Sequence, residues 1–431
     1  MPKLDVKPTP EFKKALEIGR PPNVATLFPN SSALIVSGKV IDRAMLRKGK
    51  CMTIAVNGRS SFVVRGALRG AQRANAAIIL EIARSEGGAN AYCHVNMWNL
   101  AQHVNQIVNE LGLTIPVAIH ADHYGIKKPE DMAGAKAEIP SLFESGVTSI
   151  AIDASHMPDD QNLLANIELR DYVPSWAGYE TEVGEIKGKA GLSTPAEALF
   201  LIKGLNAHGI HPDWIALNNG TTHGLEAEGE GIQVGLTREI HEALAPYKVS
   251  GAQHGTSGNS YERLKQIAEQ TRTTKANVAT ALQMVSWGVK VNEYGNAQLD
   301  ADGKFIKESG KGLDDEIWNE MVAYADKQGW SGGNYKKLNL PFECRLLGQS
   351  REIRERMVQG VEDFVASLLT DVFHADGTAE IAYELINEAG SFDLGAKGER
   401  IEDPAEWTPE KIRERAAAMD TDKGPEGDFD D

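Results

Sequence analysis

Residues 115–155 read IPVAIHADHYGIKKPEDMAGAKAEIPSLFESGVTSIAIDAS: two short apolar, β-branched runs flank a segment of helical periodicity. Short apolar runs bounded by turn residues suit strands buried on both faces, and a helical crossover between them returns the second strand parallel to the first. Each run ends on groups able to do chemistry, Asp122 and His123 in the first and Asp153 in the second. In parallel sheets, the C-terminal strand ends are where such groups collect.

The alternation continues in both directions. Runs at 52–57, 76–82, 115–123, 149–155, 179–184, 214–223, 248–254 and 288–292 predict eight strands. Helical patterns lie between them at 62–74, 98–111, 129–145, 160–176, 194–208, 237–245 and 260–284, and Pro195 stands at a helix start. Eight such units predict an α/β fold, a closed (β/α)8 TIM barrel. Residues 1–40 are Pro-rich and weakly periodic, an N-terminal extension. The barrel domain is expected over 41–390, with a polar insertion after strand 8 at 297–335 and a long amphipathic helix at 352–372. Within the insertion, Asp300-Ala301-Asp302-Gly303 lacks the later acidic ligand of a calcium loop and is expected to be a surface turn. Residues 391–431 form a C-terminal extension that ends in the acidic tail MDTDKGPEGDFDD.

The composition narrows the partners. The chain has 431 residues and a formal charge of −16, with 61 acidic against 45 basic residues. Nucleic-acid phosphates need a basic surface, so no nucleic-acid partner is expected. Three widely spaced cysteines argue for neither a disulfide framework nor a sulfur metal site, and a reducing cytoplasm is the expected compartment. No stretch approaches the roughly 20 apolar residues of a membrane span, and the N-terminus lacks the apolar core of a leader peptide. No membrane partner is expected either.

Three histidines end separate strand-like runs: His123 in HADH, His223 in GTTHG and His254 in QHG. Strand ends of a barrel converge, so three imidazoles can share one metal and leave a coordination position open, as catalytic sites do. His120 lies on the same strand end as His123, and His156 follows Asp153; position alone keeps both as rivals. Asp122 faces away from His123 by strand alternation, which frees it as a general acid or base. Asp153 and Glu182 suit a second or alternative metal position, or ion pairs with barrel lysines. The small-residue turns at 222–224 and 254–258 can close their amides on an anion, with Ser257 adding a hydroxyl.

These segments together resemble the class II, metal-dependent ketose-bisphosphate aldolases. The resemblance rests on AVN at 55–57, SEGG at 85–88, HADH at 120–123, IDAS at 152–155, ETEVG at 180–184, GTTHG at 220–224, HGTSG at 254–258 and KVN at 290–292. It implies Zn2+ or another divalent metal held by His123, His223 and His254, with Glu182 and Asp153 at an alternative metal position and room for a monovalent cation. It makes Asp122 the proton-transfer group and Asn292 a contact to the enediolate. Gly224, Gly255 and Ser257 would cradle the near phosphate of a phosphorylated sugar, Asn57 and Ser85 would line the substrate side, and Arg356, with Arg354 as rival, would grip a distal phosphate. A homo-oligomer, a dimer or larger, is implied as well. The implied reaction is reversible cleavage of fructose 1,6-bisphosphate or a related ketose bisphosphate to dihydroxyacetone phosphate and an aldehyde.

The sequence departs from the family pattern in three places. The loop EIKGKAGLSTPAE at 185–197 carries lysines where an acid is expected, leaving Glu185 or Glu197 to replace it. Glu293-Tyr294-Gly295 follows KVN where a phosphate contact is usual, and the interval between HGTSG and KVN is long. These departures keep two alternatives open: a relative acting on another phosphorylated ketose, and a non-catalytic metal- or sugar-phosphate-binding paralogue. A metal-dependent hydrolase is a weaker rival, since three histidines also activate water.

Overall fold

The computed structural model describes residues 6–89, 91–184, 191–220, 231–256, 259–292 and 295–419. Strands β1 (Thr53–Asn57), β2 (Ile78–Ala83), β3 (Val117–Gly125), β4 (Ser149–Asp153), β5 (Gly178–Val183), β6 (Trp214–Leu217), β7 (Ser250–Gln253) and β8 (Thr273–Val278) follow one another around a closed barrel. Every neighbouring pair is parallel, and β8 closes on β1 through Thr53↔Lys275, Ile54↔Ala276, Ala55↔Asn277 and Val56↔Val278. The (β/α)8 barrel expected from the sequence is the observed fold.

Seven strands lie where periodicity puts them; the eighth does not. The interval 260–284, expected as one helix, contains the helix Tyr261–Gln270, then β8, then the start of the helix Thr280–Trp287. Residues 288–292, expected as strand 8, instead open an antiparallel hairpin through Val289↔Lys307 and Val291↔Ala297. The reason is physical. β8 reads TTKANV, and a lysine and an asparagine within it resemble a solvated helix face until their partners inside the barrel are known. The long interval before KVN therefore contains a complete strand between two helices.

A helix closes the N-terminal end of the barrel. Gly38–Lys48 starts at the Ser37 cap, whose Oγ accepts from the Lys39 amide, and buries Val40, Ile41, Ala44 and Met45. A Cβ at Gly38 would lie 2.6 Å from Ser149 Oγ, so only glycine lets the backbone approach so closely. The C-terminal segment locks this end from outside: Lys397 Nζ reaches Asp42 Oδ2 at 2.5 Å, the Asp213 carbonyl at 2.7 Å and Ser250 Oγ at 2.8 Å. One continuous apolar core runs from Phe12 to Ile412.

The insertion folds over a smaller core of its own, with Trp287, Phe305, Trp318, Met321, Tyr335 and Met357 at its centre. Asp300 Oδ1 accepts from the amides of Asp302 and Lys304, which is the expected surface turn. Among the described residues, no helix is long and apolar enough to cross a membrane.

The helix Arg351–Ser367 packs on Ser61–Ala74 through glycines at the contact. A Cβ at Gly66 would meet Val361 Cβ at 2.5 Å and the Val358 carbonyl at 2.7 Å. Both obstacles are attached to a helix that cannot move alone. Gly66→Val should therefore destabilise the protein by about 2–3 kcal/mol through overpacking, read as a lower midpoint in urea. An unchanged midpoint would mean that the two helices separate freely.

A candidate metal and proton-transfer site at the barrel mouth

Asp122 and His123 owe their placement to an irregularity in β3. The register against β4 runs His120↔Ser149, Ala121↔Ile150 and then Tyr124↔Ile152, so two residues, Asp122 and His123, oppose the single Ala151. His123 takes the left-handed conformation at φ 40°, which is uncommon for a residue with a side chain and recurs where function holds the backbone. The bulge overrides strict alternation. Both side chains join one cluster, and the expectation that Asp122 faces away from His123 is corrected accordingly: atoms of Asp122, His123 and His254 that could ligate a metal lie within 4.8 Å of one another.

β5 and β7 complete the cluster. His123 Nδ1 stands 3.2 Å from Glu182 Oε1 and 3.3 Å from Asp153 Oδ2. The rings of His123 and His254 meet at 4.3 Å between centroids. His254 Nε2 lies 3.0 Å from Glu180 Oε1. A carboxylate only accepts, so Nε2 carries the hydrogen and Nδ1 keeps its lone pair, the arrangement that orients a ligating imidazole. That Nδ1 is buried with no hydrogen bond, and Glu182 Oε1 has the His123 ring beside it at 3.2 Å. Asp153 is fixed from behind, its Oδ1 accepting from the Ser155 amide at 3.0 Å and hydroxyl at 2.7 Å.

The charge balance also asks for a cation. Glu81, Asp122, Asp153, Glu180 and Glu182 are all buried, and Lys275 is the buried ammonium set among them. Burial opposes a charged ring at His123, yet the carboxylates of Glu182 and Asp122 outweigh it and raise its pKa well above the usual imidazole value. Burial, with Asp153 beside it, pushes Glu182 up. The carboxylates that favour a proton on His123 favour a metal in the same place, and metal binding there would release that proton. These residues fit a divalent ion in charge, in donor type and in the orphaned atoms that point inward.

Asp122 is held as an anion. Burial works against its charge, but His123 and Lys275 prevail and keep it well below the usual carboxylate range. Asn277 Nδ2 donates to Oδ1 at 3.0 Å, and Asn57 Nδ2 lies 3.5 Å from Oδ2. The amide against Asp122 is thus Asn277, at the end of β8. Asn292 lies on the hairpin beyond the Thr280–Trp287 helix, its Oδ1 accepting from the Asn296 amide at 3.0 Å.

Below the mouth, Lys275 is fully buried, with Nζ 2.8 Å from Glu180 Oε2, 3.2 Å from Glu81 Oε2 and 3.6 Å from Asp122 Oδ1. Burial disfavours the ammonium, but Glu180 and Glu81 overcome that and raise its pKa, so it is no nucleophile. A second bulge puts it there: Gly251↔Thr273 is followed by Ala252↔Lys275, and the extra residue Thr274 also turns inward, accepting from Trp214 Nε1 and donating to Asp42. His120 sits at this deeper level, with Nδ1 2.8 Å from Ser149 Oγ. His156 belongs to no metal-capable group among the described residues.

The other expected residues divide. Asn57 is buried at the mouth, where its amide donates to Glu86 Oε2 at 2.8 Å. Glu86 also accepts from Arg59 Nε at 2.5 Å, and it turns inward while Ser85 is exposed. Gly255 follows His254 at φ 58°, a conformation suited to glycine. Glu197 is engaged in the cap of the Pro195–Ala207 helix, accepting from the Thr194 amide at 2.8 Å. Arg356 donates from Nε to the Gly312 carbonyl at 2.6 Å and from Nη2 to the Leu313 carbonyl at 3.3 Å, so its fork clamps the insertion. On the same helix Arg354 has a buried Nε without a hydrogen bond. His223, Gly224, Ser257 and Glu185 lie outside the described residues.

Lys275, Asn277, Glu180, Glu81, Glu86 and Arg59 escaped the sequence reading. A period of two was a usable signal for Glu180, which shares a face with Glu182 in GYETEV. Glu86 stood inside the SEGG stretch at 85–88, next to Ser85; no comparable signal marked Arg59.

Comparison with known proteins agrees with this architecture. The family described as "Fructose-bisphosphate aldolase class-II" matches residues 39–327. A fructose-bisphosphate aldolase of Streptococcus pneumoniae serotype 4 is 29% identical over 223 residues, covering 50% of this chain and 69% of that protein. One from Mycoplasma pneumoniae is 28% identical over 241 residues, covering 55% and 77%. Crystal structures share the fold: the YdjI aldolase from Escherichia coli K12 at TM-score 0.53 and 14% identity, over 80% of this chain and 99% of that one, and fructose-bisphosphate aldolase from Campylobacter jejuni at 0.54 and 16%, over 80% and 97%. With a family match over more than half of its length on a barrel whose mouth gathers metal-capable groups, the chain belongs to the class II fructose-bisphosphate aldolase family of carbon–carbon lyases, which generally depend on a metal.

Proposed function

We propose that the chain is a zinc-dependent aldolase that reversibly cleaves fructose 1,6-bisphosphate, or a closely related ketose bisphosphate, to dihydroxyacetone phosphate and glyceraldehyde 3-phosphate. It would act in the cytoplasm as a dimer or larger homo-oligomer. The observation that carries the reading is the convergence of His123, His254, Glu182, Asp153 and Asp122 from four strand ends. His123, His254 and, outside the described residues, His223 would hold the metal, with Glu182 and Asp153 at the alternative position. Bound there, a divalent ion supplies Lewis-acid polarisation of the ketone oxygen.

The chain's own groups handle the protons. Asp122, an anion at rest, takes the proton of the C4 hydroxyl as the C3–C4 bond breaks. The aldehyde leaves, and the electron pair of that bond stays with the ketone fragment. The amides of Asn277 and Asn57 hold the Asp122 carboxylate in line for this transfer. A proton then reaches C3 from an acid on the loop after β5; Glu185 is the candidate, because Glu197 is occupied by the helix cap. Gly224, Gly255 and Ser257 would receive the near phosphate on backbone amides and a hydroxyl, with Asn57 and Ser85 on the substrate side. A second reading, an aldolase for a ketose phosphate without the distal phosphate, draws on the engagement of Arg356 with the Gly312 and Leu313 carbonyls. Comparing cleavage of fructose 1,6-bisphosphate and fructose 1-phosphate separates the two readings.

Chelation should abolish cleavage of the bisphosphate, and added Zn2+ should restore it; His123→Ala should lose metal and turnover together. Full turnover in metal-free protein would end the proposal. Asp122→Ala should keep its zinc and lose roughly 10²-fold or more in kcat, the scale of general acid–base catalysis. Normal kcat in that variant removes Asp122 from the chemistry. Asn277→Ala should cost on the order of 10²-fold, through misplacement of Asp122, whereas Asn292→Ala should leave kcat near that of the wild type. The reverse ranking would restore the asparagine on the hairpin to the mechanism.

A further inference from the structure

Two sets of donor atoms are stacked in the barrel and share Asp122. The upper set is Asp122, His123 and His254; the lower is Glu81, His120 and Asp122, again with ligand atoms within 4.8 Å of one another. The lower set has the marks of a cation site. Glu81 and His120 are almost wholly buried, Glu81 Oε1 and His120 Nε2 make no hydrogen bond, Glu81 Oε2 meets the Lys275 ammonium at 3.2 Å, and Glu180 Oε2 lies 3.5 Å from that same Nε2. Carboxylates and an imidazole from β2, β3 and β5 form a donor set suited to a divalent metal. Yet the ammonium of Lys275 stands among them, within 3.6 Å of an oxygen of each carboxylate.

We propose that Lys275 is a built-in cation: its ammonium fills a latent metal position formed by Glu81, His120, Asp122 and Glu180, and so confines the catalytic metal to the upper set around His123 and His254. The inference rests on the metal-dependent reading above. The lysine is tied to β8, and its ammonium occupies the space between these lower donors. An ion entering from the mouth therefore stops at the upper level, beside the proton-transfer group. A side chain of similar length without charge, Lys275→Met, would leave the buried carboxylates uncompensated and open the lower position to an ion.

The test counts metal on the full-length protein. Wild type, Lys275→Met, Lys275→Met/Glu81→Gln, His123→Ala and His123→Ala/Lys275→Met are saturated with Zn2+, freed of excess by gel filtration and analysed for zinc per chain. Lys275→Met should hold about one equivalent more than wild type, because deprotonated buried ligands take up a metal, and Glu81→Gln should remove that gain. His123→Ala should lose the upper ion, while His123→Ala/Lys275→Met keeps the lower one. Equal zinc in folded wild type and Lys275→Met overturns the inference. If Lys275→Met unfolds without metal, its melting temperature should rise with Zn2+ and that of the double variant with Glu81→Gln should not; a variant that stays unfolded at saturating Zn2+ also overturns it. A wild type that binds no zinc defeats the metal reading of the preceding section, and the Lys275→Met difference alone then decides whether the lower position exists.

Discussion

Burying five carboxylates in the middle of a parallel barrel is the constraint on which the rest of the site depends. Each ionised group taken from water costs several kcal/mol unless it is compensated. The compensation is layered. Low in the barrel, Lys275 meets Glu81, Glu180 and Asp122; at the mouth, the imidazoles of His123 and His254 face Glu182, Asp153 and Asp122. At the mouth the carboxylates of Glu182 and Asp122 outweigh burial and raise the pKa of His123, so the upper layer is electrostatically suited to a cation.

Two bulges make this layering geometrically available. A regular strand presents every second residue to the interior, and a barrel of this size has room for few side chains per level. The extra residue in β3 turns two consecutive groups inward, and the one in β8 does the same for Thr274 and Lys275. Each places a polar group where alternation would put an outward-facing one. The left-handed backbone of His123 is the local cost, and the surrounding packing sustains it.

The periphery serves the same end. The Gly38–Lys48 helix and the Lys397 latch close the bottom of the barrel, so charged groups inside face only the mouth. The insertion packs on the helices that follow β8 and β1 and holds Arg356 by two carbonyls, which makes that arginine part of the scaffold. Arg59 and Glu86 form a buried pair at the rim that fixes the Asn57 amide toward Asp122.

The sequence alone determined the architecture, because alternating apolar runs and helical segments allow few arrangements and the polar residues His123, Asp153, Glu182 and His254 stand at or just beyond the strand ends. Chemistry at those ends was legible for the same reason. The position of β8 was not, since Lys275 and Asn277 look solvated until the carboxylates they pair with are folded around them from β2, β3 and β5. Tertiary structure likewise decided that Asp122 and His123 point the same way, that Asn277 meets Asp122, and that Glu86 turns inward while Ser85 does not. These depend on register shifts and on partners distant in sequence, and periodicity carries neither.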